Sequence, residues 1–287
     1  MALQLHSKLR SSPLITFDQI QIMNSHCPNP LHIVVIMMCM VMLFWEGTHV
    51  ASAEPISPAS DLPLRIDGDI GAAAYYTRSI VRDKSEPATV LPYGYFDYGR
   101  AFVRIDTFGI KTARIGYGYL ELAGRVTLDG FKTDTAGLRG LENRKNSMPL
   151  GIGTFQETPI GGFFLNVFHD INQSHGNSYE AIWAGEWQHS QFTVYPQLGT
   201  EYLSKEYVGY YYGVSVTEAA ASRFAAYQPV GAFNPFLALL VDTDLGDDYH
   251  LNFYLRHKWL ASAMHDSPLV GNRGMDTAFI GVSYRFK

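Results

Sequence analysis

Two histidine–aspartate pairs and two serines are the residues of this sequence whose types could support nucleophilic catalysis. The pairs are His169-Asp170 and His265-Asp266, and the serines are Ser215 and Ser267. A catalytic triad needs the histidine within hydrogen-bonding reach of the serine and an acid that orients the histidine. Adjacent residues of a strand point to opposite faces, so adjacency alone does not provide that arrangement. No G-x-S-x-G elbow is present either. The sequence therefore predicts no catalytic residues and a protein that is not an enzyme.

Metal and cofactor chemistry has equally little support in the sequence. The ten histidines are scattered, with no H-x-x-x-H pair. The acidic cluster Asp242, Asp244, Asp247 and Asp248 lacks the spacing of a calcium loop and predicts a solvated turn. Glycine-rich stretches are not followed by the GK[ST] of a phosphate loop. The net charge of −5 disfavours nucleic acid as a partner. We expect no metal and no cofactor.

The N-terminal region has the pattern of an export signal. An apolar run at 31–45 is shorter than the roughly 20 residues of a membrane-spanning helix. The small-x-small tripeptide 51–53 follows it, and predicts cleavage between Ala53 and Glu54. The alternative is one uncleaved anchor helix, and translation starts at Met1 or at Met23. Both cysteines lie in this region, 1–53. A Pro- and Ser-rich flexible lead-in follows at 54–63.

The rest of the chain, 64–287, has the period of two that is typical of strands. At 249–259, tyrosine, leucine, phenylalanine and tryptophan side chains alternate with polar ones. Residues 277–286 alternate in the same way. A helix would scatter these residues because its period is 3.6. Charged residues opposite apolar ones suit a barrel with a polar interior in a membrane, whereas a soluble sandwich needs a dry inner face.

This periodicity predicts about 12 strands (10–12, an even number) in an all-β, transmembrane, antiparallel β-barrel. We predict strands at 64–76, 93–98, 101–110, 114–128, 150–157, 161–171, 178–188, 191–202, 206–216, 234–243, 249–259 and 277–286. Both termini then lie in the periplasm. Counting back from the C-terminus places loops 217–233 and 260–276 outside the cell. The turns at 172–177, 203–205 and 244–248 fall in the periplasm, and so does the long segment 129–149.

Six charged residues are predicted to face the interior of the barrel. They are Glu121, Arg125, Glu180, Glu186, Arg256 and Lys258. Buried charges need partners, so these residues could form salt bridges in a closed interior. The same residues could instead line a water-filled pore, and the sequence leaves both possibilities open.

Several segments resemble the MipA/OmpV family of outer-membrane proteins. The most specific are YYGVSVTEAAASRFAAYQP at 211–229, WLASAMHDSPLV at 259–270 and FIGVSYRF at 279–286. LRGLENR at 138–144 is similar to an L-x-G-L-x-x-R stretch of the family. The family-motif segment contributes Tyr212, Gly213, Ser215, Tyr227 and Pro229. The stretch at 138–144 forms a candidate partner loop with Leu138, Arg139, Gly140, Leu141 and Arg144.

The resemblance implies an outer-membrane barrel that contacts membrane lipid. It implies a scaffold that joins a murein-degrading lytic transglycosylase to a peptidoglycan synthase, through exposed loops or periplasmic turns. A porin-like small-solute channel and an adhesion protein are the alternatives, and a lipid-modifying enzyme is a weaker one. No catalytic residues are defined for the family. This sequence departs from the usual aromatic C-terminus of barrels, because Lys287 follows Phe286.

Overall fold

The computed structural model describes residues 62, 64–84 and 87–287. The strands are β1 Asp67–Thr77, β2 Thr89–Tyr98, β3 Ala101–Arg104, β4 Thr107–Ile115, β5 Gly118–Arg125, β6 Pro149–Thr158, β7 Gly161–Asp170, β8 Asn177–Ala184, β9 Trp187–His189, β10 Phe192–Leu203, β11 Ala232–Gly246, β12 Tyr249–Trp259 and β13 Gly274–Phe286. The helices are α1 Lys205–Tyr212, α2 Val216–Ala221 and α3 Ser262–His265, and a 3-10 turn covers Ala136–Leu138. None of the helices in these residues is long and apolar enough to cross a membrane. The predicted signal peptide and its cleavage at Ala53 and Glu54 lie outside the described residues.

The strands form one closed antiparallel barrel, as the sequence predicts. Each strand pairs with its neighbours in chain order, β13 pairs with β1, and β10 pairs with β11. The three-residue strand β9 continues β8 after a break and pairs only with β10. Thirteen strands therefore form a ring of twelve. Closure matters because every backbone N–H and C=O of a lipid-exposed strand must find a partner within the protein.

Alternation along each strand separates a lipid-facing surface from the interior. On β13, Ile280 and Val282 are exposed, whereas Phe279 before them and Ser283 after them are buried. On β12, Phe253 is exposed and Asn252 is buried. Exposed apolar side chains recur in this way around the ring, as on β4, β6 and β7. A surface so rich in exposed apolar residues is stable in lipid, where it faces hydrocarbon rather than water.

The two ends of the barrel differ. The turn end carries the start of β1, the end of β13 and five tight connections at 99–100, 116–117, 159–160, 190–191 and 247–248. The loop end carries the connections 78–88, 105–106, 126–148, 171–176, 204–231 and 260–273. All helices of the described residues lie in the loop-end connections. The terms turn end and loop end are used in this sense below.

The predicted number of strands is correct, but three of the predicted segments, in two regions of the chain, are wrong. Residues 206–216, predicted as a strand, contain helix α1. The predicted strands 101–110 and 114–128 are instead three strands, β3, β4 and β5, because the chain turns at 105–106 and at 116–117. Ile105 and Gly116 take positive φ angles of 59° and 53° in these turns. One strand lost and one gained leave the total unchanged.

These two errors shift several connections to the other end. The segment 129–149 is predicted on the same side as the termini. In the structure it lies at the loop end, on the opposite side from both termini. Residues 172–177 and 203–205, predicted as turns on the side of the termini, also lie at the loop end. Residues 244–248 lie at the turn end, as predicted. The long 129–149 segment therefore joins 217–233 and 260–276 at one end of the barrel.

Candidate functional site: a charged interior beneath a folded cap

Five of the six predicted interior charges lie on strands and point inward. Arg125 on β5 binds Glu180 on β8, with Nη2 and Oε2 2.6 Å apart. Lys258 Nζ lies 2.7 Å from Glu201 Oε2. The guanidinium of Arg104 lies 3.8 Å from the carboxylate of Glu121. The charges are therefore arranged in pairs, which lowers the cost of burying them.

The remaining predicted charges have different surroundings. Arg256 lies near the carboxylates of Glu201, Asp106 and Glu180. Glu186 is exposed at the turn end, in the break between β8 and β9. Glu186 is thus the one predicted interior charge that the fold places at the mouth of the barrel.

Some of these pairs cross the interior rather than join neighbouring strands. Arg125 and Glu180 are 55 residues apart, and β6 and β7 lie between their strands. Glu180 also accepts a hydrogen bond from Asn166 Nδ2 at 3.1 Å. The Glu201–Lys258 pair continues the arrangement onto β10 and β12. A layer of paired charges consequently extends across the barrel near its loop end, where these residues sit within a few positions of the strand ends.

Helix α1 lies above this layer and is held by loops from around the ring. Tyr207 Oη donates to Asp129 Oδ2 at 2.6 Å, and Tyr211 Oη donates to the carbonyl of Lys145 at 3.0 Å. Both acceptors belong to the β5–β6 connection. Burial, and next the Asp129 carboxylate, raise the pKa of Tyr207 well above its ordinary value. The phenol therefore stays protonated and remains the donor in this bond.

An apolar cluster surrounds α1 and joins three connections of the loop end. Its buried members are Ile80, Leu203, Tyr207, Val208, Tyr211, Tyr212, Ala232, Leu260, Ala263, Met264 and Val270. Ile80 comes from the β1–β2 connection, and Met264 from the β12–β13 connection. Tyr207 and Tyr211 of α1 also bond the β5–β6 connection, which starts from the side of the ring opposite β12 and β13, so α1 lies across the opening. We call the assembled connections the cap.

A second part of the cap contains the buried ion pair of Arg144 and Glu218. Arg144 Nη2 lies 2.7 Å from Glu218 Oε1, and both side chains are about 7% exposed. Glu218 also accepts the backbone N–H of Glu142 at 3.0 Å and that of Ser215 at 2.9 Å. Ser215 accepts in return from the Glu218 N–H at 3.1 Å, which completes a capping box for α2.

These contacts set the charge of Glu218. Burial opposes ionisation, but the N–H groups of Ser215 and Glu142 and the Arg144 guanidinium outweigh it. The pKa of Glu218 is therefore held below its ordinary value. The carboxylate stays charged at neutral pH, so the ion pair with Arg144 persists there.

The candidate partner loop is largely folded into the cap. Leu138 and Leu141 are buried in a cluster with Val81, Phe131, Val214, Phe224 and Leu269. Gly140 has a φ of +91°, and a Cβ at this position would lie 2.1 Å from the Ala221 carbonyl oxygen. Only glycine fits this approach without rearrangement. Arg139 is exposed. Most of the loop thus contacts this chain itself.

The family-motif segment packs against the same loop. Val214 and Tyr227 form an isolated bridge, and the Gly213 carbonyl accepts from Arg144 Nη2 at 3.4 Å. The Tyr212 carbonyl accepts from Ser267 Oγ at 2.6 Å. Tyr227 Oη donates to the Ala263 carbonyl at 3.1 Å. The fold therefore brings the motifs at 138–144, 211–229 and 259–270 into one structure.

The histidine and serine residues singled out above are not brought together. His169 is exposed on β7 and bonds Asn177, whereas Asp170 is buried and accepts three backbone N–H groups of the following turn. His265 pairs with the adjacent Asp266. Ser215 and Ser267 are occupied in the cap, as described above. None of these groups forms a nucleophile with its base.

The structure also shows a buried polar network around His250, a residue that sequence analysis did not single out. His250 Nδ1 lies 2.8 Å from Asp242 Oδ1, and His250 is paired across β12 and β13 with Ser283. The Ser283 hydroxyl accepts from Asn252 Nδ2 at 2.9 Å, and all these side chains are buried. Alternation on β12 and β13 was the signal that could have placed them together. These side chains therefore satisfy one another's hydrogen bonds inside the barrel.

Asp242 differs from the prediction for the acidic cluster. It lies inside the barrel, where it also binds Arg285, whereas Asp244, Asp247 and Asp248 lie at the exposed turn. Among residues 64–84 and 87–287, no three His, Cys, Asp or Glu side chains come together in a way that could hold a metal ion.

A closed barrel with an apolar outer surface and a polar interior defines an outer-membrane β-barrel protein. The family model described as MltA-interacting protein MipA matches residues 70–286. This chain therefore belongs to the MipA family.

Three relatives agree with an outer-membrane location. The putative outer membrane protein YiaT of Escherichia coli K12 is 25% identical over 227 residues, covering 76% of this chain and 90% of YiaT. The MltA-interacting protein of the same strain is 28% identical over 160 residues, covering 54% of this chain and 64% of that protein. Outer membrane protein Omp26La of Vibrio anguillarum is 26% identical, covering 71% and 80%. The chain is an outer-membrane protein of this family.

A search of solved structures found the outer membrane channel DcaP of Acinetobacter baumannii. It covers 77% of this chain and 96% of the channel, at 8% identity and a TM-score of 0.25. A likeness at this level carries no argument about the interior or the function of this barrel.

Proposed function

We propose that this protein is a non-enzymatic scaffold of the outer membrane that holds a murein-degrading lytic transglycosylase and a peptidoglycan synthase. The observation that carries the proposal is its membership of a family named for an interaction with MltA. The paired interior charges and the folded cap support it, because they leave the outer surfaces of the barrel available for function. The exposed apolar belt supports contact with membrane lipid.

The test is direct binding between purified proteins. The refolded barrel in detergent or nanodiscs is immobilised, and the lytic transglycosylase of the same organism is passed over it. We expect saturable binding, with an unrelated outer-membrane barrel as the negative control. Addition of the peptidoglycan synthase should give a ternary complex. Absence of transglycosylase binding, under conditions where a homologous pair binds, would contradict the scaffold function.

The second candidate is a small-solute channel, because the interior is lined with charged side chains. The structure weighs against it, since Arg125–Glu180 and Lys258–Glu201 are paired across the interior and α1 lies over the opening. We predict that the purified barrel shows no stable conductance steps in a planar lipid bilayer. A general porin in the same bilayer is the positive control. Reproducible single-channel steps from this protein would favour the channel.

A further inference from the structure

The proposed function requires a surface that faces the murein layer, and the inference below rests on that function. In bacterial single-chain barrels, short turns and both termini face the periplasm, and long loops face outward. In this chain the start of β1, the end of β13 and the five tight turns all lie at the same end of the barrel. That pattern assigns the turn end to the periplasm. A murein enzyme, which works in the periplasm, would meet this end of the barrel.

The candidate partner loop is poorly suited to receive such a partner. Leu138, Leu141 and Arg144 of this loop are buried against other connections of the cap. The apolar groups of the candidate partner loop are therefore already in contact with this chain. The loop end also lies opposite the termini, on the side that faces away from the murein layer.

Two neighbouring turns of the turn end carry large apolar side chains that face solvent. Tyr117 in the β4–β5 turn is 64% exposed, and Ile160 in the β6–β7 turn is 72% exposed. The turns are adjacent because β5 pairs with β6, where Gly118 is opposite Gln156. Aqueous turns favour glycine, asparagine, aspartate and serine, as the Asp247-Asp248 turn of β11 and β12 does. Exposed tyrosine and isoleucine depart from that preference.

Both turns are held in place by hydrogen bonds to neighbouring strands. The Tyr117 N–H donates to Gln156 Oε1 at 2.8 Å. Trp183 Nε1 on β8 donates to the Ile160 carbonyl at 2.9 Å, and Thr158 Oγ1 donates to the Gly161 carbonyl at 2.7 Å. These bonds fix the backbone of both turns, which reduces the conformational entropy that the turns lose when a partner binds.

We propose that Tyr117 and Ile160 form the centre of the surface on which the lytic transglycosylase docks. The partner surface that fits is an apolar depression that receives the two side chains, with polar groups at its rim. Burial of aromatic and aliphatic side chains at the centre of an interface supplies most of the affinity. The turn-end surface, rather than the 138–144 loop, is then the partner site of the scaffold.

The first test compares binding by variants of the refolded barrel. Tyr117→Ser and Ile160→Ser together should weaken transglycosylase binding by about tenfold or more. Leu245→Ser is the matched control, because Leu245 is 56% exposed at the turn end but lies on β11, on a different part of the ring. The control should bind within about twofold of the wild type. Equal affinity of the double variant and the wild type would overturn the proposal.

The second test does not depend on how the substitutions affect folding. A photoreactive p-benzoyl-phenylalanine replaces Tyr117, Ile160, Leu245 or Arg139, one at a time, and each barrel is irradiated with the purified transglycosylase. We expect a protein adduct from positions 117 and 160 only. Adducts from 139 or 245 instead, or lipid adducts alone from 117 and 160, would overturn the docking site. If the wild-type barrel binds no transglycosylase, the scaffold function itself fails.

Discussion

Replacing Arg144 with alanine should lower the free energy of unfolding by about 3–5 kcal/mol, because Glu218 would remain buried without its partner. The Glu218 carboxylate lies 2.7 Å from Arg144 and is shielded from water. Its backbone donors, the N–H groups of Ser215 and Glu142, remain but do not neutralise its charge. The measurement is urea unfolding of the barrel refolded in lipid vesicles, followed by tryptophan fluorescence.

The cap should also open locally in this variant. Limited proteolysis of the folded protein should cut within 126–148 or 204–231 faster than in the wild type, because these connections are joined through the Arg144–Glu218 pair. Lys205→Ala is the matched control. Lys205 forms an exposed pair with Glu206, so its loss should leave the free energy of unfolding close to that of the wild type. Similar losses in the two variants would show that burial of the Arg144 pair has no special role.

Replacing Arg125 with methionine should lower the free energy of unfolding by a similar amount, about 3–5 kcal/mol. This substitution affects the charged layer inside the barrel rather than the cap. Methionine fills much of the space of the arginine chain but leaves Glu180 charged inside the barrel. Glu180 would retain only Asn166 as a hydrogen-bond donor among the partners described above. The stability is measured by the same urea titration, and the folded barrel is confirmed by its mobility shift between unheated and boiled samples on a denaturing gel.

A double variant separates the cost of an unpaired charge from the value of the pair. Arg125→Met with Glu180→Met removes both charges, and should recover most of the stability lost in Arg125→Met. Glu186→Gln is the control, since Glu186 is exposed at the barrel mouth, and should change stability by less than about 0.5 kcal/mol. If the double variant is less stable than Arg125→Met, the pair contributes net stability and the reasoning is wrong.

The strand pattern could be predicted from the sequence because its cause is local. Each strand must present apolar side chains to lipid and polar ones to the interior, so a period of two appears in every strand. The alternation at 249–259 and 277–286 places Phe253 and Ile280 outside and Asn252 and Ser283 inside, as the structure confirms. The family resemblance, the barrel and the outer-membrane location rest on this pattern and on motifs that are contiguous in the chain.

Helix α1 could not be predicted from local preference. Tyrosine and valine are typical of strands, and residues 206–216 are rich in both. In the cap, Tyr207, Val208, Tyr211 and Tyr212 are buried together, which is the i, i+1, i+4, i+5 spacing of one helix face. Contacts with the β1–β2, β5–β6 and β12–β13 connections decide this conformation, and those connections are distant in sequence.

The sequence by itself determined a membrane barrel of about twelve strands with a polar interior and an apolar outside. Only the tertiary structure decided at which end of the barrel each connection lies. One missed turn, as at 105–106, reverses the predicted end of each connection that follows, until a second error restores it. It also decided the partners of the buried charges. Arg125 and Glu180 are 55 residues apart, and Arg144 and Glu218 are 74 apart. No local pattern records such pairs, because the closure of the ring and the folding of the cap bring them together.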